Sequence, residues 1–157
     1  VLEVFRQAGC RVDTGETFAA LSRDPDRPLL AVPTVRTAPY PGFPTDAQAP
    51  VMAALCTARG STVFVENLFD SRFRHVEELR RMGADITTEG RVAVVRGVER
   101  LRGAHVAARD LRGGGALAVA ALSAEGESVL AGVDHIDRGY EALEAMLTRL
   151  GGRARRG

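Results

Sequence analysis

The chain contains an internal repeat, and this constrains its fold more than any other feature. The segment Ala58–Val63 aligns with Ala124–Val129, an offset of 66 residues. The same offset relates Asp46 to Arg112. A period of this length indicates repeated supersecondary units that bury their apolar faces against one another.

Each unit is predicted to contain the same elements in the same order: a helix, a polar turn, a Val-rich strand and a second helix. The predicted helices are 46–58, 72–82, 112–124 and 138–150, with strands at 61–67 and 127–133. A hairpin is predicted around Glu89-Gly90, between strands 86–88 and 91–95, and a connector follows at 97–103. This alternation predicts an α/β (or α+β) fold with helices on one face of each sheet.

The first residues are assigned to a preceding unit, with strands at 11–14 and 29–32. We therefore expect the tail of a preceding unit at 1–35, a complete unit at 36–103 and a last unit at 104–157. Because the chain opens with Val inside a helical pattern, we expect a truncated start.

Composition excludes several classes of function. The formal net charge is +1, so no strong field attracts nucleic acid or an acidic membrane. No apolar run approaches the roughly 20 residues of a membrane span. The two cysteines, Cys10 and Cys56, have no metal-ligand spacing, which favours a reduced cytoplasmic protein. Three basic residues near the C-terminus, Arg153, Arg155 and Arg156, are interpreted as a solvated tail.

Asp46 is the first candidate for chemistry. Prolines at 39, 41 and 44 stiffen the loop that leads to Thr45 and Asp46 at a helix start. Either side chain could simply cap that helix. A rigid loop that presents one carboxylate also suits a positioned base, kept ionised by the helix N-terminus.

Three arginines are the other candidates, each expected at a helix start. Arg72 and Arg138 are related by the 66-residue offset, and Arg112 precedes three glycines, 113–115. Arg72 could instead be a surface residue, and the glycines a loose turn. An arginine beside a positive helix end requires an anion to compensate it. Together the arginines and Asp46 predict an anionic substrate that carries a proton donor. The histidines, His75, His105 and His135, are interpreted as structural or exposed.

Four segments carry a resemblance to a known family. They are TAPYPGFPTDAQA at 37–49, ENLFDSRFRHVEELRRMGAD at 66–85, DLRGGGAL at 110–117 and HIDRGYE at 135–141. In order and spacing they resemble the motifs in the C-terminal part of the UDP-N-acetylglucosamine enolpyruvyl transferases. That family belongs to the EPSP synthase superfamily. The resemblance covers essentially the whole chain.

The resemblance implies transfer of enolpyruvyl from phosphoenolpyruvate to the 3′-hydroxyl of UDP-N-acetylglucosamine, the first committed step of bacterial peptidoglycan synthesis. It implies an inside-out α/β barrel of repeated βα units, of which this chain would hold about two of the three in one domain. No metal or organic cofactor is implied. Asp46 matches the candidate base, Leu68 a backbone contact to the UDP-sugar, and Arg138 an arginine that binds phosphoenolpyruvate. Arg72 and Arg112 match further active-site arginines.

Two features depart from the family pattern. Its reactive cysteine and Lys-Asn pair would lie before Val1, and Cys56 is assigned to the core instead. Pro50 falls inside the helix that follows Asp46, where it is expected to introduce a kink. Two alternatives stay open: an enzyme acting on shikimate 3-phosphate, and a non-catalytic module that binds a nucleotide sugar or a partner protein.

Overall fold

The computed structural model describes all residues, 1–157, as six α-helices, one 3-10 turn and ten strands. The helices are α1 (Leu2–Gln7), α2 (Gln48–Leu55), α3 (Val76–Arg81), α4 (Leu111–Ser123), α5 (Val133–Asp137) and α6 (Leu143–Arg149). The strands are β1 (Arg11–Thr14), β2 (Ala19–Ser22), β3 (Thr34–Arg36), β4 (Ser61–Val65), β5 (Asp85–Glu89), β6 (Val92–Arg96), β7 (Leu101–Arg102), β8 (His105–Ala107), β9 (Ala124–Glu125) and β10 (Val129–Ala131). None of the helices is long and apolar enough to cross a membrane.

The largest sheet has four strands in the order β3-β4-β6-β5. β3 lies parallel to β4, whereas β6 is antiparallel to both β4 and β5. The predicted hairpin is confirmed, with Gly90 at a φ of 54° in its turn. Side chains alternate along these strands, so that Phe64, Ala93 and Val95 face the core.

A second parallel pair includes the counterpart of β4 in the next copy of the repeat. β8 lies parallel to β10, and β10 falls within the segment 66 residues after β4. The short strands β7 and β9 also pair in parallel. The predicted connector at 97–103 therefore contains a strand. The chain therefore contains three parallel strand pairs, which are β3 with β4, β8 with β10 and β7 with β9.

Helices α2 and α4 lie at the centre of the fold. Six of the eight residues of α2 are buried, and α4 buries a continuous run from Gly113 to Ala118. A helix that is apolar on nearly every side must be covered on every side. The two helices pack against each other, with the sheet outside them. This confirms the predicted α/β class and its inside-out arrangement.

The predicted strand at 29–32 is wrong. Ala31 donates a backbone hydrogen bond to Arg59, but Val32 donates to the Thr62 hydroxyl at 3.0 Å instead of to a carbonyl. Pro33 has no N–H to donate. The regular ladder with β4 therefore begins only at Thr34, after the proline.

Two predicted helix starts are also wrong. α3 begins at Val76, not at residue 72, because Ser71 adopts a left-handed φ of 54° and a series of turns follows. The segment 138–150 is not one helix: α5 ends at Asp137 and α6 begins after Ala142, which has a φ of 46°. Arg138 thus caps the C-terminus of α5 instead of lying in the first turn of a helix.

Pro50 does not interrupt α2, and the loose glycine turn is not present. Pro50 is the third residue of α2, where its missing N–H would have had no partner within the helix. Gly113–Gly115 are helical and buried. A Cβ at Gly114 would lie 2.5 Å from Ile136 Cγ1, so this glycine lets α4 approach α5 closely.

Gly97 should be among the glycines that tolerate substitution least. A Cβ there would lie 1.6 Å from the carbonyl oxygen of Ala58, a backbone atom that cannot rotate away. We expect Gly97→Ala to lower the free energy of unfolding by about 3 kcal/mol, measured by urea denaturation.

Gly113→Ala is the matched control. Its added Cβ would lie 3.3 Å from His75 Cβ, and alanine favours the helix, so we expect a change under about 1 kcal/mol. Equal stabilities for the two variants would contradict the close approach at Gly97.

Candidate active site

Asp46 lies in a 3-10 turn, Thr45–Ala47, that follows the proline-rich loop and leads into α2. Neither Thr45 nor Asp46 caps the helix through its side chain, which removes the simplest explanation of these residues. Both side chains instead contact residues distant in sequence. The 3-10 turn therefore presents the carboxylate away from its own helix.

Arg112 holds the carboxylate of Asp46 with two hydrogen bonds. Its Nε donates to Oδ1 at 2.8 Å and its Nη2 donates to Oδ2 at 2.9 Å. Arg112 lies in the first turn of α4, whose N-cap Asp110 accepts a hydrogen bond from the Gly113 N–H. The packing of α2 against α4 thus brings together two residues at equivalent positions of the repeat. The bidentate geometry is the strongest that a guanidinium offers a carboxylate.

Arg72 completes a cluster of three charged side chains. Its Nη2 donates to Asp46 Oδ1 at 3.2 Å, and its Nε donates to the Thr45 hydroxyl at 3.2 Å. The Phe69 ring lies below its guanidinium, 4.8 Å from the ring centroid to Cζ. With its side chain only 24% exposed, Arg72 is not the free surface residue considered above.

The cluster carries one more positive than negative charge. Hydrogen bonds from Arg112 lower the pKa of Asp46, although partial burial opposes the shift. The same hydrogen bonds raise the pKa of Arg112. Asp46 itself stays 58% exposed in its side chain. The arrangement therefore offers an ionised carboxylate and two arginines to an anion that approaches from solvent.

Glu66 is a site residue that the sequence reasoning missed. It is 1% exposed and lies directly after β4, where its carboxylate accepts hydrogen bonds from the N–H groups of Leu68 and Phe69. The Leu68 N–H is thereby occupied, and its carbonyl is the backbone group left for a ligand. A glutamate at the end of an apolar strand, in the Val65-Glu66-Asn67 sequence, was the available signal.

Arg138 stands apart from the other candidates. It is exposed, and no hydrogen bond or ion pair joins it to another residue. The next residue, Gly139, approaches α4, since a Cβ there would lie 2.7 Å from Leu111 Cδ2. Arg138 thus lies next to a residue that contacts Leu111, at the start of the helix that carries Arg112. Its neighbour Asp137 accepts a hydrogen bond from Arg156 at 2.6 Å, so the C-terminal tail folds back onto α5.

The remaining candidates are structural. His75 is 5% exposed, and burial lowers its pKa from 6.5 to about 4. Cys56 is fully buried, and burial raises the pKa of its thiol to about 12, as expected for a core residue. No group of three or more His, Cys, Asp or Glu side chains is arranged to hold a metal ion.

The ionisation of Asp46 should depend on Arg112. We expect the pKa of the Asp46 carboxyl to lie below its ordinary value of 3.8 and to rise towards that value in Arg112→Ala. Because the folded-state pKa is lowered, the stabilisation exists above the unfolded pKa and is lost as the pH falls through the folded one. Carboxyl ¹³C NMR titration measures the shift.

Arg138→Ala is the control for this titration, because Arg138 has no contact with Asp46. An Asp46 pKa that does not change in Arg112→Ala would refute the bidentate interaction.

His75 should make stability fall in mild acid. The unfolded chain binds a proton at His75 near pH 6.5, whereas the folded chain does so only near pH 4. Stability should therefore fall by up to about 3 kcal/mol between these values. His75→Asn, which keeps a donor but does not titrate, should remove that part of the slope in urea unfolding. His105→Asn, at an exposed position, is the control. A slope in His75→Asn identical to that of the unchanged chain would contradict this prediction.

Comparison with known proteins identifies relatives along nearly the whole chain. The model of the family EPSP synthase (3-phosphoshikimate 1-carboxyvinyltransferase) matches residues 1–147. The UDP-N-acetylglucosamine 1-carboxyvinyltransferase of Dichelobacter nodosus is 51% identical over 156 residues, which are 99% of this chain and 36% of that protein. The UDP-N-acetylglucosamine 1-carboxyvinyltransferase 2 of Caldanaerobacter subterraneus is 48% identical over 151 residues, 96% of this chain and 36% of its own. The chain thus spans about a third of the length of these curated relatives.

Solved structures agree in fold. The enolpyruvyl transferase NikO from Streptomyces tendae superposes with a TM-score of 0.84 at 28% identity, over 98% of this chain and 35% of that one. EPSP synthase from Acinetobacter baumannii has a TM-score of 0.77 at 17% identity, over 99% and 39%, which shows the shared fold alone. With residues 1–147 matched by its model, this chain belongs to the EPSP synthase family.

Proposed function

We propose that this chain forms one wall of the active site of an enolpyruvyl transferase that joins phosphoenolpyruvate to the 3′-hydroxyl of UDP-N-acetylglucosamine. The observation that carries the proposal is the cluster in which Asp46 is bound by both Arg112 and Arg72. Three relatives named for this acceptor are 48–52% identical and match at least 94% of the chain. The step belongs to peptidoglycan synthesis, and so to bacterial cell-wall growth.

Asp46 is proposed as the base. In the net reaction the sugar 3′-oxygen bonds to the carbon that carried the phosphate, the carbon–oxygen bond to phosphate breaks, and phosphate leaves. The hydroxyl proton needs an acceptor, and an ionised carboxylate within hydrogen-bond reach of that hydroxyl can take it. Asp46 stays ionised at neutral pH, since its pKa is lowered.

The two arginines would release the Asp46 carboxylate and bind an anionic substrate in its place. While Arg112 and Arg72 bind Asp46, the carboxylate is a weak base, because these hydrogen bonds favour its charged form. An anionic substrate that takes over the two guanidinium groups would weaken their hold on Asp46. Its pKa would then rise, and it would become a better proton acceptor as the substrate arrives.

Arg138 and Leu68 are proposed to contact the two substrates. Arg138 has an exposed guanidinium without a counter-ion, free to bind phosphoenolpyruvate. The Leu68 carbonyl would accept a hydrogen bond from the UDP-sugar, since its N–H is held by Glu66. We infer that the rest of the enzyme, including the second wall of the cleft, comes from sequence that the longer relatives contain. Residues 36–103 and 104–157 are the proposed units, after the tail at 1–35, and the proposed location is the cytoplasm.

A chimaera tests the substrate assignment. Residues 1–157 would replace the matching segment of the Dichelobacter nodosus relative, and phosphate release from phosphoenolpyruvate would be measured with each acceptor. We expect release with UDP-N-acetylglucosamine and none with shikimate 3-phosphate. The reverse preference would assign the chain to the shikimate enzyme. Sugar binding without phosphate release would indicate a non-catalytic module.

Asp46→Asn in the chimaera should lower kcat by at least about 100-fold, the usual range for loss of a general base, with the fold intact by circular dichroism. Arg138→Ala is the contrasting variant and should mainly raise the KM for phosphoenolpyruvate, because an anion loses its bidentate partner. Unchanged turnover in Asp46→Asn would remove Asp46 from the mechanism.

A further inference from the structure

We propose that Glu66 is a positioning residue whose buried carboxylate sets the orientation of Arg72 and Asp46 through Thr45. This inference rests on the proposed function, because it assigns Glu66 to the same site. Glu66 would not touch a substrate, and it would act only through the residues it holds.

The carboxylate of Glu66 joins three segments of the chain. Oε1 accepts from the Thr37 hydroxyl at 2.9 Å, after β3, and from the Leu68 and Phe69 N–H groups at 2.9 and 3.2 Å. Oε2 accepts from the Thr45 hydroxyl at 2.9 Å. A buried charge is tolerated when its hydrogen bonds are satisfied, and four donors satisfy this one. The four bonds fix the turn after β4 relative to the turn that carries Asp46.

Thr45 passes this constraint to the charged cluster. Its hydroxyl donates its only proton to Glu66, so its lone pairs face Arg72 Nε, which donates to it at 3.2 Å. With Nε fixed in this way, Nη2, on the same edge of the planar guanidinium, is directed to Asp46 Oδ1. Glu66 therefore determines both the direction of the Thr45 hydroxyl and the plane of Arg72.

The other buried glutamate, Glu78, provides a comparison within the same molecule. It is 2% exposed, accepts from the Ala107 N–H at 3.2 Å, and lies 3.7 Å from both Arg81 and Arg109. None of these partners contacts Asp46 or Arg72. Glu78 stabilises the packing of α3 on β8, so it matches Glu66 in chemistry and burial but not in role.

Glu66→Gln changes the hydrogen bond to the Thr45 hydroxyl in particular. If the amide oxygen keeps the three donors on Oε1, its NH₂ faces the Thr45 hydroxyl, which must then accept instead of donate. Arg72 Nε loses its defined acceptor. We expect the ¹⁵N resonance of Arg72 Nε–H in the 157-residue chain to shift, with faster exchange with water, in both Glu66→Gln and Thr45→Val. Thr45→Ser, which keeps the hydroxyl, and Glu78→Gln should leave this resonance in place.

Kinetics of the chimaera give the second measurement. Glu66→Gln and Thr45→Val should each lower kcat/KM for UDP-N-acetylglucosamine by about 10- to 100-fold, as for a misplaced catalytic group. The double variant should lose little more than either single one, because both act through one chain of contacts. Thr45→Ser, which keeps the hydroxyl, should keep most of the activity. Glu78→Gln should lower stability without the loss of kcat/KM.

Two results would overturn the proposal: an unchanged Arg72 resonance in Glu66→Gln, or a kinetic loss no larger than that of Glu78→Gln. An inactive parent chimaera would contradict the proposed function alone. The Arg72 resonance would then decide the positioning role by itself.

Discussion

The packing of α2 against α4 is the constraint on which the rest of the site depends. Both helices are buried on nearly every side, and they pack against each other. Because they occupy equivalent places in two copies of a repeat, their N-terminal ends meet at one end of the helix pair. A residue at one start can then bond directly to its counterpart 66 positions later, as Asp46 does to Arg112.

The charged side chains near this contact lie at two depths. Asp46 is shared by two arginines at the surface, while Glu66 lies beneath them with four hydrogen-bond donors and no ion pair of its own. Its hydrogen bonds outweigh its burial and lower its pKa, so it stays charged. The Glu66 carboxylate is fixed in position because it is buried and accepts four hydrogen bonds. The cluster of Asp46, Arg72 and Arg112 above it is partly exposed, so an anion from solvent can reach it.

The sequence predicted the hairpin and the α/β class because these depend on local patterns of apolar residues and glycine. It also indicated Asp46, Arg72 and Arg112, which the structure brings into contact. It did not predict that 138–150 divides into two helices. The break depends on the left-handed conformation of Ala142, and an alanine in the sequence does not indicate such a conformation. Glu66 was missed because a single acidic residue after a strand resembles an ordinary surface residue until its donors are brought together by folding. From the sequence alone, a loose turn at Gly113–Gly115 stays open as an alternative to the predicted helix, because the reason for the glycines is the approach of Ile136 and Tyr140.

We propose that Arg72 and Arg112 exchange Asp46 for an anionic substrate and thereby leave Asp46 to the sugar hydroxyl. The most direct measurement is a crystal structure of the chimaera with UDP-N-acetylglucosamine and phosphoenolpyruvate bound. It should show the Asp46 carboxylate about 2.6–3.2 Å from the 3′-hydroxyl, with both guanidinium groups on the phosphoenolpyruvate. A structure with both substrates bound and the bidentate contact between Asp46 and Arg112 intact would contradict the account.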